Sequence, residues 1–378
     1  MQRLYYLQEI ERKFKTHPVV AILGPRQCGK TTLARMYIER DPALPIHYFD
    51  LEDPIDIARM ENPKLSLESL QGMIVIDEVQ YLPELFKLIR VLVDKRPLEQ
   101  KYLILGSASR ELLKQSSESL AGRINYLELT PFSHFEAEDI RSLWLRGGFP
   151  KSYLAETLDD SYEWREAYIT TYLEHDLPAL GIQIASQSLR RFWEMLAHYH
   201  GNVLNASELG RSFGSADTTI RRYLDILSGT FMIRQLQPWH ANIKKRQVKS
   251  PKIYFRDSGL FHTLLRVRTR DELNRHIKLG ASWEGFALEE IIRHHHAKPH
   301  DCYFWQTHAG AELDLLLLIN GKKIGFEFKY TDAPRLTKSM HISLEELELE
   351  HLYVIYPGAT PYILADKISV VGLKNYLT

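Results

Sequence analysis

Gly24-Pro25-Arg26-Gln27-Cys28-Gly29-Lys30-Thr31-Thr32 contains the spacing G-x-x-x-x-G-K-[ST]. Residues of these types in this order hold a chain of phosphates. Backbone N–H groups of such a loop, and of a helix starting at its end, point toward phosphate oxygens. Gly24 and Gly29 permit the tight backbone path. Lys30 can reach the terminal phosphates, and the Thr31 hydroxyl can complete the shell of a Mg2+ ion. The implied ligands are ATP and Mg2+, with Gly24 through Thr32 as the binding residues. Cys28 reads as a spacer whose oxidation would obstruct the loop.

The elements that must position this loop are legible on both sides. "PVVAIL" reads as a buried β-branched strand, and "LARMYIE" continues as a helix. In "GMIVIDEVQ" an apolar run, Met73 to Ile76, ends in Asp77 and Glu78. Ligands of open α/β sheets bind at that end of the strands. Asp77 would hold the Mg2+ shell, and Glu78 would orient or deprotonate the attacking water. The next apolar run, "KYLILGSAS", ends in Ser107 and Ser109. A hydroxyl there can contact the terminal phosphate or the water, with Ser107 preferred. "LAGR" then sets Arg123 before another strand, from Ile124 to Leu129.

This combination resembles the AAA+ class of P-loop ATPases. The "LAGR" step and "GGFP" (Gly147 to Pro150) are similar to a large prokaryotic family of AAA ATPases with a C-terminal domain of unknown function. The resemblance implies that Arg123 reaches a neighbouring subunit's nucleotide, so that hydrolysis requires a homo-oligomer. The plainer reading of Arg123 is a surface arginine or an ion pair to the sheet.

A second group of chemistry-bearing residues lies in "GAELDLLLLINGKKIGFEFKYTDAP". Asn320-Gly321 between two apolar runs predicts a two-residue hairpin turn. That register sets Asp314 opposite Glu327 and Glu312 opposite Lys329, with all four on one face. Opposed carboxylates repel unless a cation lies between them. Asp314 and Glu327 could coordinate Mg2+ or Mn2+, and Lys329 could position a water or stabilise developing charge. An acid on one strand and E-x-K on the next resembles the PD-(D/E)xK nuclease superfamily. Its further glutamate, carried on a preceding helix, is matched by Glu284 in "GASWEGFALEEIIRHH", with Glu289 less suited. No proline precedes Asp314, which departs from the fuller pattern. The plainer reading pairs Glu312 with Lys329 in a nuclease-like fold without activity. The run His294 to His296 reads as a solvated helix end, because consecutive helical residues point in different directions.

Between these regions the pattern turns helical. The aromatics of "SYEWREAYITTYLEHDLPAL" and "QSLRRFWEMLAHYHGNVLN" sit at helix spacing and read as core. Nothing in "TYLEHDL" specifies chemistry for Glu174, His175 or Asp176. In "NASELGRSFGSADTTIRRYLDILSGT", Asn205 or Ser207 can cap a short helix ending near Gly214. Asp217 or Thr218 can cap a second helix carrying Arg221 and Arg222, and "FMIRQLQPW" follows as a strand. This order predicts a winged helix-turn-helix whose second helix is the candidate reader of DNA. Lys244, Lys245, Arg246, Lys249 and Lys252 follow closely and suit phosphate contact. Such modules also serve as lids or protein-interaction elements.

The whole chain sets the limits. Its 378 residues suffice for two or three cores, and 48 basic residues balance 48 acidic ones, so any electrostatic footprint for nucleic acid is local. Cys28 and Cys302 give no disulfide framework. The N-terminus lacks a signal-peptide core, and no apolar run is long enough to span a bilayer, so the expected setting is cytoplasmic, without a membrane. The expected fold class is α/β: an AAA-type parallel-sheet domain over 1–150, a helical lid and winged helix over 151–265, and a small α/β PD-(D/E)xK-like domain over 266–378. The expected function is a Mg2+-dependent ATPase coupled to DNA binding, remodelling or cleavage. One alternative is a regulatory switch ATPase acting on a protein partner or on oligomerisation, with an inactive nuclease-like domain. Another is a DNA-independent nuclease whose ATPase part merely assembles the ring.

Overall fold

A computed structural model describes residues 3–40, 44–95, 99–109, 120–182, 184–240 and 248–378. Its internal contacts divide the chain into two compact units. The first comprises Met1–Phe132, Thr171–Ile184 and Asp225–Phe231; the second comprises Ser133–Thr170, Ala185–Leu224 and Met232–Thr378.

The first unit is built on five parallel strands: β1 (Val19–Leu23), β2 (Ile46–Asp50), β3 (Gly72–Asp77), β4 (Gln100–Gly106) and β5 (Ile124–Glu128). Their order is β2-β3-β4-β1-β5. The central strands are apolar at successive positions because both faces of the sheet are covered. Val19, Ala21, Ile74, Ile76 and Ile104 pack with Phe86, Ile89 and Val93 of the helix Leu85–Val93. On the other face Val20, Ile22, Val75 and Leu103 meet Leu7 and Ile10 of the helix Leu4–Phe14, and Leu33 of the helix Lys30–Ile38. Parallel pairing aligns Leu23 with Gly106 and with Glu128, so the strand ends that carry the candidate residues share one edge.

The second unit contains helices and a mixed eight-stranded sheet, ordered β12-β13-β11-β10-β9-β8-β6-β7. The strands are β6 (Ile233–Pro238), β7 (Lys252–Phe255), β8 (Cys302–Gln306), β9 (Glu312–Ile319), β10 (Lys322–Phe328), β11 (His351–Tyr356), β12 (Tyr362–Ala365) and β13 (Ile368–Gly372). The β9–β10 hairpin has the expected register, with Ile319 opposite Lys322 and Leu315 opposite Phe326. Asn320 and Gly321 both have positive φ, 50° and 78°, as a tight primed turn requires. Buried Leu313, Leu316, Trp305, Met340 and Val354 belong to one apolar core cluster.

Before β6, the helix Ser186–Tyr199 packs against a helix, turn and helix. Asn205 caps Ala206–Phe213 through its side chain, and Gly214 ends that helix at φ 76°. Asp217–Gly229 follows, and Phe192 meets Phe213 and Tyr223 edge to face at 5.6 and 5.2 Å. β6 and β7 then pair antiparallel.

"GGFP" is a joint. Gly148 N donates to the buried Asp257 carboxylate at 2.7 Å, and that carboxylate also caps the helix Ser258–Leu264. A Cβ at Gly147 would lie 2.2 Å from Asp257 Oδ1, and one at Gly259 would lie 2.1 Å from Arg146 O. Only glycine allows this approach at either position.

Candidate functional site

The phosphate-binding spacing folds into a loop between β1 and the helix Lys30–Ile38. Gln27 (φ 59°) and Gly29 (φ 99°) adopt left-handed backbone, which turns the loop into the helix start. A Cβ at Gly24 would meet Leu129 O at 2.1 Å, so close packing against the end of β5 demands glycine there. Pro25 and Cys28 are buried, whereas Gln27 and Thr32 are exposed. Burial pushes the Cys28 thiol pKa up, leaving it poorly reactive. Lys30 is buried, and its Nζ donates to Gly24 O and Pro25 O, both at 3.1 Å. The ammonium therefore lies across the loop on neutral carbonyls.

Thr31 Oγ1 donates to Asp77 Oδ2 at 2.8 Å, joining the helix start to the end of β3. Tyr48 OH donates to the same oxygen at 2.6 Å, and burial followed by the Asp77 carboxylate raises the Tyr48 pKa. Donors and carboxylate thus stand together in a set that fits a Mg2+–triphosphate. Arg26 pairs with Asp176 and Glu52. Burial opposes its charge, but Asp176 and then Glu52 outweigh that, and its pKa is raised. Asp176 lies in a single π-helical turn, Tyr172–Asp176, which gives the otherwise silent "TYLEHDL" a contact with the loop. π turns of this kind are frequent at functional sites.

Glu78 follows Asp77 with φ 54°, a left-handed conformation uncommon for a non-glycine residue. Its carboxylate accepts from Gln80 Nε2. Gln80 Nε2 also donates to Ser107 Oγ at 2.9 Å, and Ser107 N donates to Gln80 Oε1 at 3.2 Å. Glu78 and Ser107, selected from separate strands, therefore meet through Gln80, a residue that sequence reasoning missed. The visible signal was its place at the end of "VIDEVQ".

Arg123 stands elsewhere. Its carbonyl accepts from Val19 N, at the N-terminal edge of the sheet, about 16 Å from the loop at about 3.3 Å per strand residue. The guanidinium forms a two-point ion pair with Asp94, with N–O distances of 2.6 and 2.8 Å. It does not reach the phosphate loop of its own chain.

In the second unit the structure brings Glu284, Glu312, Asp314, Glu327 and Lys329 into one largely buried cluster, and adds Lys252 and Tyr254. Lys252 Nζ pairs with Glu312, and lies 3.6 Å from Asp314 Oδ1 and 3.7 Å from Glu284 Oε1. Tyr254 OH donates to Glu284 Oε1 at 2.6 Å. Lys329 Nζ lies 2.6 Å from Glu327 and 3.8 Å from Asp314, whose Oδ2 also accepts from Phe328 N at 3.0 Å. Glu312 thus pairs with Lys252 and not with the expected Lys329. Lys252 itself is buried among carboxylates, not part of a basic loop. The missed signal is the period of β7, which puts Lys252 and Tyr254 on one face of a buried strand.

Burial and repulsion from Asp314 raise Glu284 to about 7 and Glu327 to about 8, although Lys252 and Lys329 oppose the shift. Both lysines stay charged, their pKa values raised because the surrounding acids outweigh burial. Two ammonium groups already hold the carboxylates, so this donor set does not fit a divalent cation as arranged. Among the described residues, no group of three or more His, Cys, Asp or Glu could hold a metal ion.

Glu289 lies apart from this cluster. Burial works against its charge, but Arg234, Arg256 and Arg293 hold its carboxyl at about 2. His295 is not simply solvated; its ring bonds Tyr376 OH at 2.9 Å.

Arg221, Arg222 and Lys249 are exposed. Lys244, Lys245 and Arg246 fall outside the described residues. No described helix is long and apolar enough to cross a membrane.

Comparison with known proteins places an AAA domain over residues 16–138, a domain of unknown function (DUF8612) over 137–271 and another (DUF4143) over 279–376. Among solved structures, the Walker-type ATPase PABY2304 of Pyrococcus abyssi is 16% identical, covering 70% of this chain and 95% of its own, at a TM-score of 0.49. A RuvB variant of Thermotoga maritima is 16% identical, covering 62% and 90%, at a TM-score of 0.32. The uncharacterized proteins Rv2008c of Mycobacterium tuberculosis and Mb2031c of Mycobacterium bovis are each 46% identical over 374 residues, covering 98% of this chain and 83% of theirs. The chain belongs to the family of these mycobacterial proteins, with an AAA-type P-loop ATPase domain followed by two domains of unknown function.

Proposed function

We propose that this protein hydrolyses ATP at the Gly24–Thr32 loop and couples that hydrolysis to DNA through the helix-turn-helix region. The observation that carries the reading is the convergence of Lys30, Thr31, Asp77 and Glu78 on one sheet edge. Loop N–H groups and Lys30 bind the phosphates; Thr31 and Asp77 would hold Mg2+. When bound, Mg2+ supplies charge neutralisation at the phosphate oxygens. Glu78 takes the proton of the attacking water, and Ser107 helps orient it. Arg123 serves the neighbouring subunit of a homo-oligomer once Asp94 releases it. The parts 1–150, 151–265 and 266–378 then act as motor, reader and nuclease-like domain.

Support for coupling comes from Ser109 N, which donates to Gly229 O at 2.7 Å. This bond ties the tip of β4 to the last residue of the helix that carries Arg221 and Arg222. Those two arginines and Lys249, with Lys244, Lys245 and Arg246, would contact DNA phosphates. The test is Mg2+-dependent ATP turnover with and without duplex DNA. Turnover should rise with DNA in the wild type and not in the Arg221→Ala/Arg222→Ala double variant. DNA that binds without changing turnover would refute the coupling.

A second reading is favoured by Lys252. Its ammonium among Glu284, Glu312 and Asp314 supports a nuclease-like domain kept as a binding surface, on a switch ATPase that acts through oligomerisation or a protein partner. Cleavage of linear or branched DNA with Mg2+ or Mn2+, lost in Asp314→Ala, would overturn that reading and make Asp314, Glu327 and Glu284 metal ligands with Lys329 beside them.

A further inference from the structure

We infer that Gln80 is a positioning residue for hydrolysis, aiming the Glu78 carboxylate and linking it to the β4 tip that bonds Gly229. The inference rests on the reading of Glu78 as the residue that activates water.

The argument begins with the amide itself. A glutamine side chain offers two N–H donors and one carbonyl acceptor. The Ser107 N–H needs an acceptor and finds Gln80 Oε1 at 3.2 Å. That bond fixes which end of the amide is oxygen and turns Nε2 toward Ser107 Oγ and the Glu78 carboxylate. The donors and the acceptor are therefore all engaged, and the orientation is not interchangeable. A Cβ at Gly106 would press on Leu23 Cδ2 at 3.2 Å and Val79 Cγ1 at 3.3 Å, so glycine there eases the packing of Val79, the residue before Gln80.

Glu78 needs such a restraint. Its left-handed backbone directs the side chain away from the course of β3, and Glu78 N is held by Asp77 Oδ1 at 2.9 Å. Backbone and side chain are thus both fixed, the first by Asp77 and the second by Gln80.

The same amide reads the state of β4. Ser107 accepts and donates to Gln80, while Ser109, two residues on, is bonded through its N–H to Gly229 O. A pull on the helix end at Gly229 reaches Gln80 through three consecutive residues, Ser107, Ala108 and Ser109, and alters the aim of Glu78. This is a contiguous route by which an event on the helix that carries Arg221 and Arg222 changes turnover.

The experiment measures ATP turnover, with and without duplex DNA, in wild type, Gln80→Ala, Gln80→Glu and Glu78→Gln. A fluorescent ATP analogue reports nucleotide binding, and thermal unfolding reports folding. Gln80→Glu is nearly isosteric and keeps the acceptor for Ser107 N–H, but it cannot donate to Glu78. Both Gln80 variants should lose kcat by about tenfold or more, keep KM and analogue affinity near wild type, and lose the response to DNA. A purely structural Gln80 would be rescued by the isosteric glutamate. Wild-type kcat in Gln80→Glu, alongside an inactive Glu78→Gln, would overturn this inference alone. An active Glu78→Gln would instead overturn the role given to Glu78.

Discussion

Lys30, at a helix start, and Lys252, at a strand start, are both buried ammonium groups, yet they are satisfied in opposite ways. Lys30 rests on two neutral carbonyls of its own loop. Lys252 is surrounded by Glu312, Asp314 and Glu284. Neutral carbonyls do not cancel a cation's charge, and the site as a whole favours an added anion. A cation among carboxylates has its charge cancelled, and the site favours nothing further of either sign. The first region is built to receive phosphate, whereas the second is held together by its own charges.

The largest test of this contrast is stability. Lys252→Met removes the shared partner of buried carboxylates and should cost about 3–5 kcal/mol in chemical denaturation. Lys30→Met removes bonds to carbonyls and should cost about 1 kcal/mol. Equal losses would erase the distinction. Adding Glu312→Gln to Lys252→Met should recover part of the loss, since one uncompensated charge is then gone.

The second unit should also respond to pH in two windows, by about 1.4 kcal/mol per pH unit for each proton taken up or released. Burial holds His200 and His262 neutral, lowering each to about 3. Their contribution is complete above the ordinary histidine value and is lost as pH falls toward 3. Glu284 and Glu327 are raised, so their contribution is present at low pH and lost as pH rises through about 7 and about 8. The two pairs offset each other between about 4.5 and 6.5, so thermal midpoints should fall on acidification below about 4.5 and fall again as pH rises from about 6.5 to 8. His262→Gln should flatten the first slope and Glu327→Gln the second. A flat profile between 6.5 and 8 would break the account of the acid cluster.

Smaller effects sharpen the comparison at the surface. Arg221→Ala should weaken duplex DNA binding without regard to sequence and reduce the salt slope by about 1. An unchanged slope would remove this arginine from the interface. Arg123→Ala should leave the unfolding midpoint where it is, because its pair with Asp94 is exposed. Loss of turnover in that variant, rescued by mixing with an Asp77→Asn variant that retains Arg123, would assign Arg123 to a neighbour's site. Full turnover in Arg123→Ala would reduce it to a surface ion pair.

What the sequence disclosed follows from the range of the interactions. The phosphate loop is contiguous, and its glycines answer to local backbone geometry. The hairpin register follows from Asn320-Gly321 and the alternation on either side. The capping of Ala206–Phe213 by Asn205 is equally local. Gln80, by contrast, gains its meaning from Ser107 on another strand. Lys252 gains its own from Glu284, Glu312 and Asp314 on other elements. A lysine followed by apolar and aromatic residues reads as readily as an exposed basic strand start. Only sheet order shows β7 at one edge with its lysine turned inward. Asp176 was silent for the same reason: its partner, Arg26, lies in the phosphate loop.

The most direct test of the central claim is steady-state ATP turnover with Mg2+ by the wild type and by Lys30→Ala, each checked for folding. The account predicts turnover in the wild type and a loss of at least about a hundredfold in the variant. Wild-type turnover in Lys30→Ala, or none in a folded and DNA-supplied wild type, would contradict it.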